Sequence, residues 1–184
     1  MKRAENRQMN LFSAFQAALP YDEFLRRHAS DGEKASWLRV FEQVSLPAAQ
    51  REVLQLFTRQ MPVLCLAGAW CPDCQNQCPI FEHFTAVAPL IRVRYLDRDE
   101  HADVQAELQI NGGNRVPVLV FFSEDGWETA RYGERTLSKY RHLAGRPSSG
   151  NPFLADVIKE WLNEFERVQW ILRLSPRLRQ LHGD

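Results

Sequence analysis

The chain has 184 residues, of which 45% are hydrophobic, and its 23 basic and 23 acidic residues leave a formal net charge of zero. A chain of this size can bury one sizeable core, and nothing in its composition suggests disorder or a membrane span. The charge balance gives no general electrostatic reason to expect nucleic acid or anionic lipid as a partner. The polar stretch Met1 to Gln8 has no apolar run behind it and reads as the start of a cytoplasmic chain without a signal peptide.

Leu11 to Leu19 places apolar residues at Leu11, Phe12, Phe15, Ala18 and Leu19, the spacing of a short amphipathic helix ended near Pro20. Tyr21 to Ala29 continues in the same style, Asp31-Gly32 reads as a break, and Trp37, Leu38, Val40 and Phe41 give another helical turn or two. Ser45 resembles an N-cap with Pro47 in the first turn of a helix whose apolar face is Val53, Leu54, Leu56 and Phe57. From Val63 an apolar, strand-like run stops at the turn Cys71-Pro72-Asp73-Cys74, and Gln75 to Ala88 reads as a helix. Ile91 to Leu96 alternates as a strand, and Ala102 to Leu108 is a brief helix.

Asn111 to Asn114 is a loop, followed by Val116 to Phe122, a continuous apolar strand with a proline near its start. Glu124-Asp125-Gly126 turns the chain back into an antiparallel strand over Trp127 to Tyr132, and Gly133 marks a second break. A helix is expected from Thr136 to Leu143 and a loop from Arg146 to Pro152. A long amphipathic helix then carries Phe153, Val157, Trp161, Phe165, Val168 and Leu172 on its apolar side and is limited by Pro176. The basic tail with Arg173, Arg177 and Arg179 reads as a solvated end. The expected organisation is a helical extension over 1–45, a core over 46–146 and a C-terminal helix over 147–184 packed on that core.

All four cysteines, Cys65, Cys71, Cys74 and Cys78, fall within one short stretch. A secreted disulfide framework would spread them to staple distant segments, so the clustering points to a site. If Cys71 sits at a helix N-terminus, the unpaired N–H groups and the helix dipole lower its pKa below roughly 8.5 and let it attack a disulfide near neutral pH. Cys74, one turn further on, can resolve the mixed disulfide and leave a Cys71–Cys74 bond. Pro72 has no N–H to lose in that first turn. Asp73 sets a negative charge beside the thiols, which is expected to limit the fall in the Cys71 pKa and make the site more reducing than one with histidine there.

The order strand, dithiol, helix, strand, helix, loop, Val-Pro strand, hairpin strand, glycine and helix resembles the thioredoxin family over about Val53 to Gly133. Trp70-Cys71-Pro72-Asp73-Cys74 matches the family's Trp-Cys-x-x-Cys, and Pro79 falls where the family kinks the following helix. Val116-Pro117 falls where the family places a cis-proline facing the active site, and Gly133 matches the glycine that lets a substrate chain approach. The resemblance implies an α/β, thioredoxin-like fold with a central mixed sheet flanked by helices, extended here by N-terminal helices and a long C-terminal helix.

It also implies a thiol–disulfide oxidoreductase with Cys71 as nucleophile and Cys74 as resolving thiol. Trp70, Pro72, Asp73, Val116, Pro117 and Gly133 would meet the substrate, a protein or small-molecule disulfide. Electrons would come from a thiol reductant or reductase, and the chemistry needs no cofactor. Where the family carries a buried aspartate that helps deprotonate the resolving thiol, this chain has Cys65. A thiol in an apolar strand is a poor proton acceptor, so the second step is expected to be slow, or assisted by water or Asp73.

Other chemistries fit less well. A zinc or iron–sulfur site built from Cys71, Cys74, Cys78 and a histidine would draw on His83, which helical spacing puts on the opposite face. A cysteine hydrolase lacks a placed base. A thioredoxin-fold scaffold with an incidental dithiol is the remaining alternative. Cys65 and Cys78 read most simply as small packing residues, Cys78 also as a backup redox thiol. If Cys65 sat against Cys74, a side disulfide under oxidative stress would follow.

Overall fold

The computed structural model describes residues 11–146 and 153–183. Strands β1 (Met61–Ala67), β2 (Ile91–Asp97), β3 (Val118–Phe122) and β4 (Glu128–Gly133) form one sheet in the order β2-β1-β3-β4. β1 runs parallel to β2 and antiparallel to β3, and β4 returns antiparallel to β3. The sheet is therefore mixed, as expected. The two central strands, β1 and β3, are buried at every position, which is why their sequences read as unbroken apolar runs.

The helices are α1 (residues 11–17), α2 (Tyr21–His28), α3 (Asp31–Gln43), α4 (Ala48–Gln55), α5 (Pro72–Val87), α6 (Ala102–Glu107), α7 (Leu137–Leu143), α8 (Phe153–Arg173) and α9 (Pro176–His182). Successive strand residues point to opposite faces of a sheet. On β3 the Phe121 ring packs against Phe165 of α8 at 5.1 Å, while the adjacent Phe122 packs against Phe12 of α1 at 5.3 Å. Helices thus cover both faces, with α5 on the α8 side, where Phe81 and Phe84 also meet Phe165. Phe165 is fully buried at the junction of β3, α5 and α8. Truncating a buried aromatic of this kind costs about 3–5 kcal/mol.

Several boundaries differ from the sequence reading for local reasons. Asp31-Gly32 is no break but the first turn of α3, because Ser30 caps it in a reciprocal capping box with Glu33. At α4 the N-cap position is held by Pro47, and Ser45 makes no cap. Pro176 limits α8 and also opens α9, capped by Ser175, so the basic tail is helical and buries Leu178. Arg177 pairs there with Asp125 in the β3–β4 turn. Beyond Arg146, the loop expected up to Pro152 lies outside the described residues.

The N-terminal helices share the core of the sheet. Phe24 and Trp37 are fully buried, and Tyr95 of β2 packs its ring against Tyr21 and Phe24 of α2. Trp37 of α3 also donates its indole N–H to the Ala69 carbonyl at 2.9 Å. That bond ties the extension to the loop between β1 and α5.

Candidate functional site

β1 ends at Ala67, and the chain crosses Gly68-Ala69-Trp70 before α5 begins at Pro72 with Cys71 as its N-cap residue. A side chain at Gly68 would strike the Trp70 indole, 2.8 Å from the Cβ position. Glycine therefore lets the indole fold over the crossing, where Arg98 stacks 4.6 Å from its ring centre. Ala69 accepts from both Trp37 and Gln75, at 2.9 and 3.0 Å, and so fixes the loop from outside and from α5. Pro79 lies inside α5, as expected from its spacing to Cys74.

Cys71 is 7% exposed, and its sulfur lies 3.6 Å from the Val116 carbonyl oxygen. The Val116-Pro117 peptide is cis. Cys74 is wholly buried behind Cys71, and the Gly68 N–H points at its sulfur from 3.5 Å. Folding thus brings Trp70, Cys71, Pro72, Cys74, Val116 and Pro117 to one end of the sheet. Gly133 pairs with Val118 in the neighbouring strand, and a Cβ there would lie 2.5 Å from the Pro117 carbonyl oxygen. The close approach that needs glycine is therefore made by this chain's own Pro117.

The two thiols ionise as a unit because they hydrogen-bond each other. Burial alone would raise Cys74, but the Cys71 and Cys78 thiols and the Gly68 N–H all stabilise a thiolate there, and together they bring it below the usual thiol range. The proton that remains is held on Cys71 well above that range, first by its hydrogen bond to Cys74, then by burial and by the adjacent charge. The N–H groups of Asp73 and Cys74 in the first turn of α5 act against that rise.

The Asp73 carboxylate is bound by Arg135 at 2.9 Å, and its charge raises Cys74. No sequence spacing links Asp73 to Arg135, which the turn after β4 brings in. The same applies to Gln77, which is 3% exposed and ties three segments together. Its amide donates to the carbonyls of Asp73 and Glu134, and its oxygen accepts from Trp161 of α8 at 2.8 Å. Glu134 in turn holds Arg115 and Tyr140 at 2.7 Å each.

Cys65 and Cys78 lie deeper, both fully buried, with their sulfurs 3.8 Å apart. Cys65 thus meets Cys78, not Cys74. Burial pushes both thiols above the usual range. Next to them Tyr95 donates its hydroxyl to Glu82 at 2.9 Å, and burial pushes the Glu82 carboxyl up to about 7. Glu82 reaches a cleft of about 700 Å³ between α2, α3 and α5 that contains no thiol.

His83 turns away to the Phe41 carbonyl at 2.9 Å, on the side its spacing indicated. Among the described residues no three His, Cys, Asp or Glu side chains are grouped so as to hold a metal ion. His28 differs from a surface residue, since its side chain is 9% exposed beside Glu100. Among the described residues no helix is long and apolar enough to cross a membrane.

A family model described as thioredoxin matches residues 18–140, and the chain belongs to that family. No curated protein matches the chain. Among solved structures, a protein of unknown function from Pseudomonas aeruginosa aligns at 18% identity over 84% of this chain and 93% of its own, with a TM-score of 0.68. An HIV epitope scaffold aligns at 20% identity over 92% of this chain and 96% of its own, with a TM-score of 0.60. Thioredoxin O2 from Arabidopsis thaliana, in its oxidised state, aligns at 18% identity over 53% of this chain and 85% of its own, with a TM-score of 0.35. At these identities the first two likenesses speak to the fold.

Proposed function

We propose that this thioredoxin-family chain is a thiol–disulfide oxidoreductase working through Cys71 and Cys74. The observation that carries the reading is the placement of Cys71 as N-cap of α5, 3.6 Å from the Val116 carbonyl, with a second, buried thiol, Cys74, in the first turn of the same helix. In the reductive direction, Cys71 loses its proton and the Cys71 thiolate attacks one sulfur of a substrate disulfide. The other substrate sulfur leaves as a thiolate and takes a proton from solvent. Cys74 then gives up its proton and attacks Cys71, which releases the second substrate thiolate and leaves the Cys71–Cys74 disulfide. A thiol reductant or reductase reverses the last two steps to restore the dithiol.

Substrate presentation falls to the main chain at Val116, whose carbonyl beside Cys71 can accept a hydrogen bond from an extended peptide. Trp70, 44% exposed, offers the apolar surface next to it. Trapping tests the reading. Cys74→Ser incubated with a disulfide-bonded protein such as insulin should accumulate mixed disulfides on Cys71, while Cys71→Ser should trap none and should reduce insulin no faster than the uncatalysed background. Equal trapping by both variants would overturn the assignment of roles, and a wild-type chain that fails to reduce insulin or any low-molecular-weight disulfide would overturn the function.

A further inference from the structure

Two of the four thiols take no part in the chemistry just proposed. Cys65 stands on β1 and Cys78 on α5, one turn beyond Cys74, and their sulfurs face each other at 3.8 Å. A disulfide needs roughly 2.05 Å, so closure requires only a small approach of two side chains already in contact. Cys71, Cys74 and Cys78 follow one another along the start of α5 at spacings of three and four residues, which places them on one side of the helix, and Cys74 senses the thiols before and after it. The order Cys71, Cys74, Cys78, Cys65 runs from the N-terminus of α5 into the core. The nearby Tyr95 hydroxyl donates to Glu82 and to neither sulfur. Packing accounts for each inner cysteine singly, but not for two sulfurs from separate elements meeting each other directly behind the outer pair.

We infer that Cys65 and Cys78 are a second, interior redox dithiol that takes over the disulfide first formed on Cys71 and Cys74. The inference rests on the outer pair exchanging disulfides as proposed above. Once the outer disulfide has formed, Cys78 loses its proton and attacks the Cys74 sulfur. The Cys71–Cys74 bond breaks, and Cys71 leaves as a thiolate that takes up a proton. Cys74 and Cys78 are four residues apart on a helix, about 6 Å along the axis, within the roughly 4.4–6.8 Å that a disulfide spans between Cα atoms. Cys65 then loses its proton and attacks Cys78, the Cys74–Cys78 bond breaks, and Cys74 is protonated.

Each transfer breaks one S–S bond and forms one, and each releases and takes up one proton, so no oxidant beyond the original substrate disulfide is needed. The outer dithiol is reduced again and takes a second substrate disulfide. The whole chain then converts two disulfides to four thiols while its own four thiols become two disulfides. Because burial keeps the inner thiols protonated, the inward transfers are slower than the outer exchange.

The test is a thiol count over time. The fully reduced chain is mixed with excess oxidised glutathione, which is too large and charged to enter the core. Samples are quenched in acid, unfolded and alkylated, and the disulfides are mapped by mass spectrometry. The expected result is a fast loss of two thiols, then a slower loss of the other two with a Cys65–Cys78 bond in the mapped peptides. In Cys65→Ala the slow loss should not yield that bond, and in Cys74→Ser, which removes the thiol that passes the disulfide inward, its rate of formation should fall at least tenfold. A wild-type chain that forms Cys71–Cys74 and keeps Cys65 and Cys78 free would overturn the inference and leave the proposed function standing. Formation of Cys65–Cys78 at an undiminished rate in Cys74→Ser would also overturn it. Failure to form Cys71–Cys74 at all would count against the proposed function itself. The wild-type count requires no variant to fold.

Discussion

The start of α5 and its middle each meet a pair of sulfurs, and the two pairs live under different physics. The outer pair lies where a helix begins, with the N–H groups of Gly68, Asp73 and Cys74 acting on the sulfurs and the Val116 carbonyl beside them. Ionisation there is supported by the backbone. The inner pair lies between a strand and the middle of the same helix, where every backbone N–H belongs to regular structure and burial opposes charge. The same residue type therefore changes character within two turns. What distinguishes the pairs is access to unspent backbone donors, which the loop after β1 and the start of α5 supply.

Cys78→Ser puts the largest strain on this contrast. Serine there exchanges a thiol for a hydroxyl in the core, facing the Cys65 sulfur. Urea unfolding should show a loss of about 1–3 kcal/mol. Cys71→Ser, at the partly open helix start, should change stability by under about 1 kcal/mol while removing insulin reduction. Equal stability losses at both positions would erase the distinction between a site held by packing and one held by backbone donors.

A second, smaller effect concerns pH and touches only the inner pair. Glu82 has its folded pKa raised to about 7, above the unfolded value of roughly 4.3, so the stability it contributes is full below that unfolded value and is lost as pH rises toward 7. Its charge also raises Cys65. Glu82→Gln keeps a partner for the Tyr95 hydroxyl and should flatten the fall in unfolding free energy between about pH 4.5 and 7, read from urea titrations at several pH values. An unchanged slope would mean that Glu82 is not held in its neutral form.

The smallest expected effect falls on the outer pair alone. Arg135→Ala releases the Asp73 carboxylate, whose charge already raises Cys74. The first ionisation of the dithiol, followed by thiolate absorbance or alkylation rate against pH, should move up by a fraction of a pH unit. A downward move would show that Arg135 does not screen Asp73.

Much of the fold was legible because periodicity and turn chemistry carry it. The unbroken apolar runs Met61–Ala67 and Val118–Phe122 mark central strands, and Cys71-Pro72 marks the start of α5. The start of α3 was missed because Gly32 resembles a break, whereas Ser30 and Glu33 close a capping box around it. In the site, both thiol positions and the Val116-Pro117 element are local in sequence and could be read. Arg135 on Asp73, Trp161 on Gln77 and Trp37 on Ala69 join residues far apart in the chain. No spacing rule connects them, because they follow from how layers pack.

The Trp37 to Ala69 hydrogen bond gives the N-terminal extension leverage over the chemistry. Ala69 precedes Cys71, the proposed nucleophile, by two residues, so any displacement of α3 is transmitted to it through a very short length of chain. A protein cut back to its sheet and covering helices would keep every sulfur and lose the tether that sets the aim of the first one.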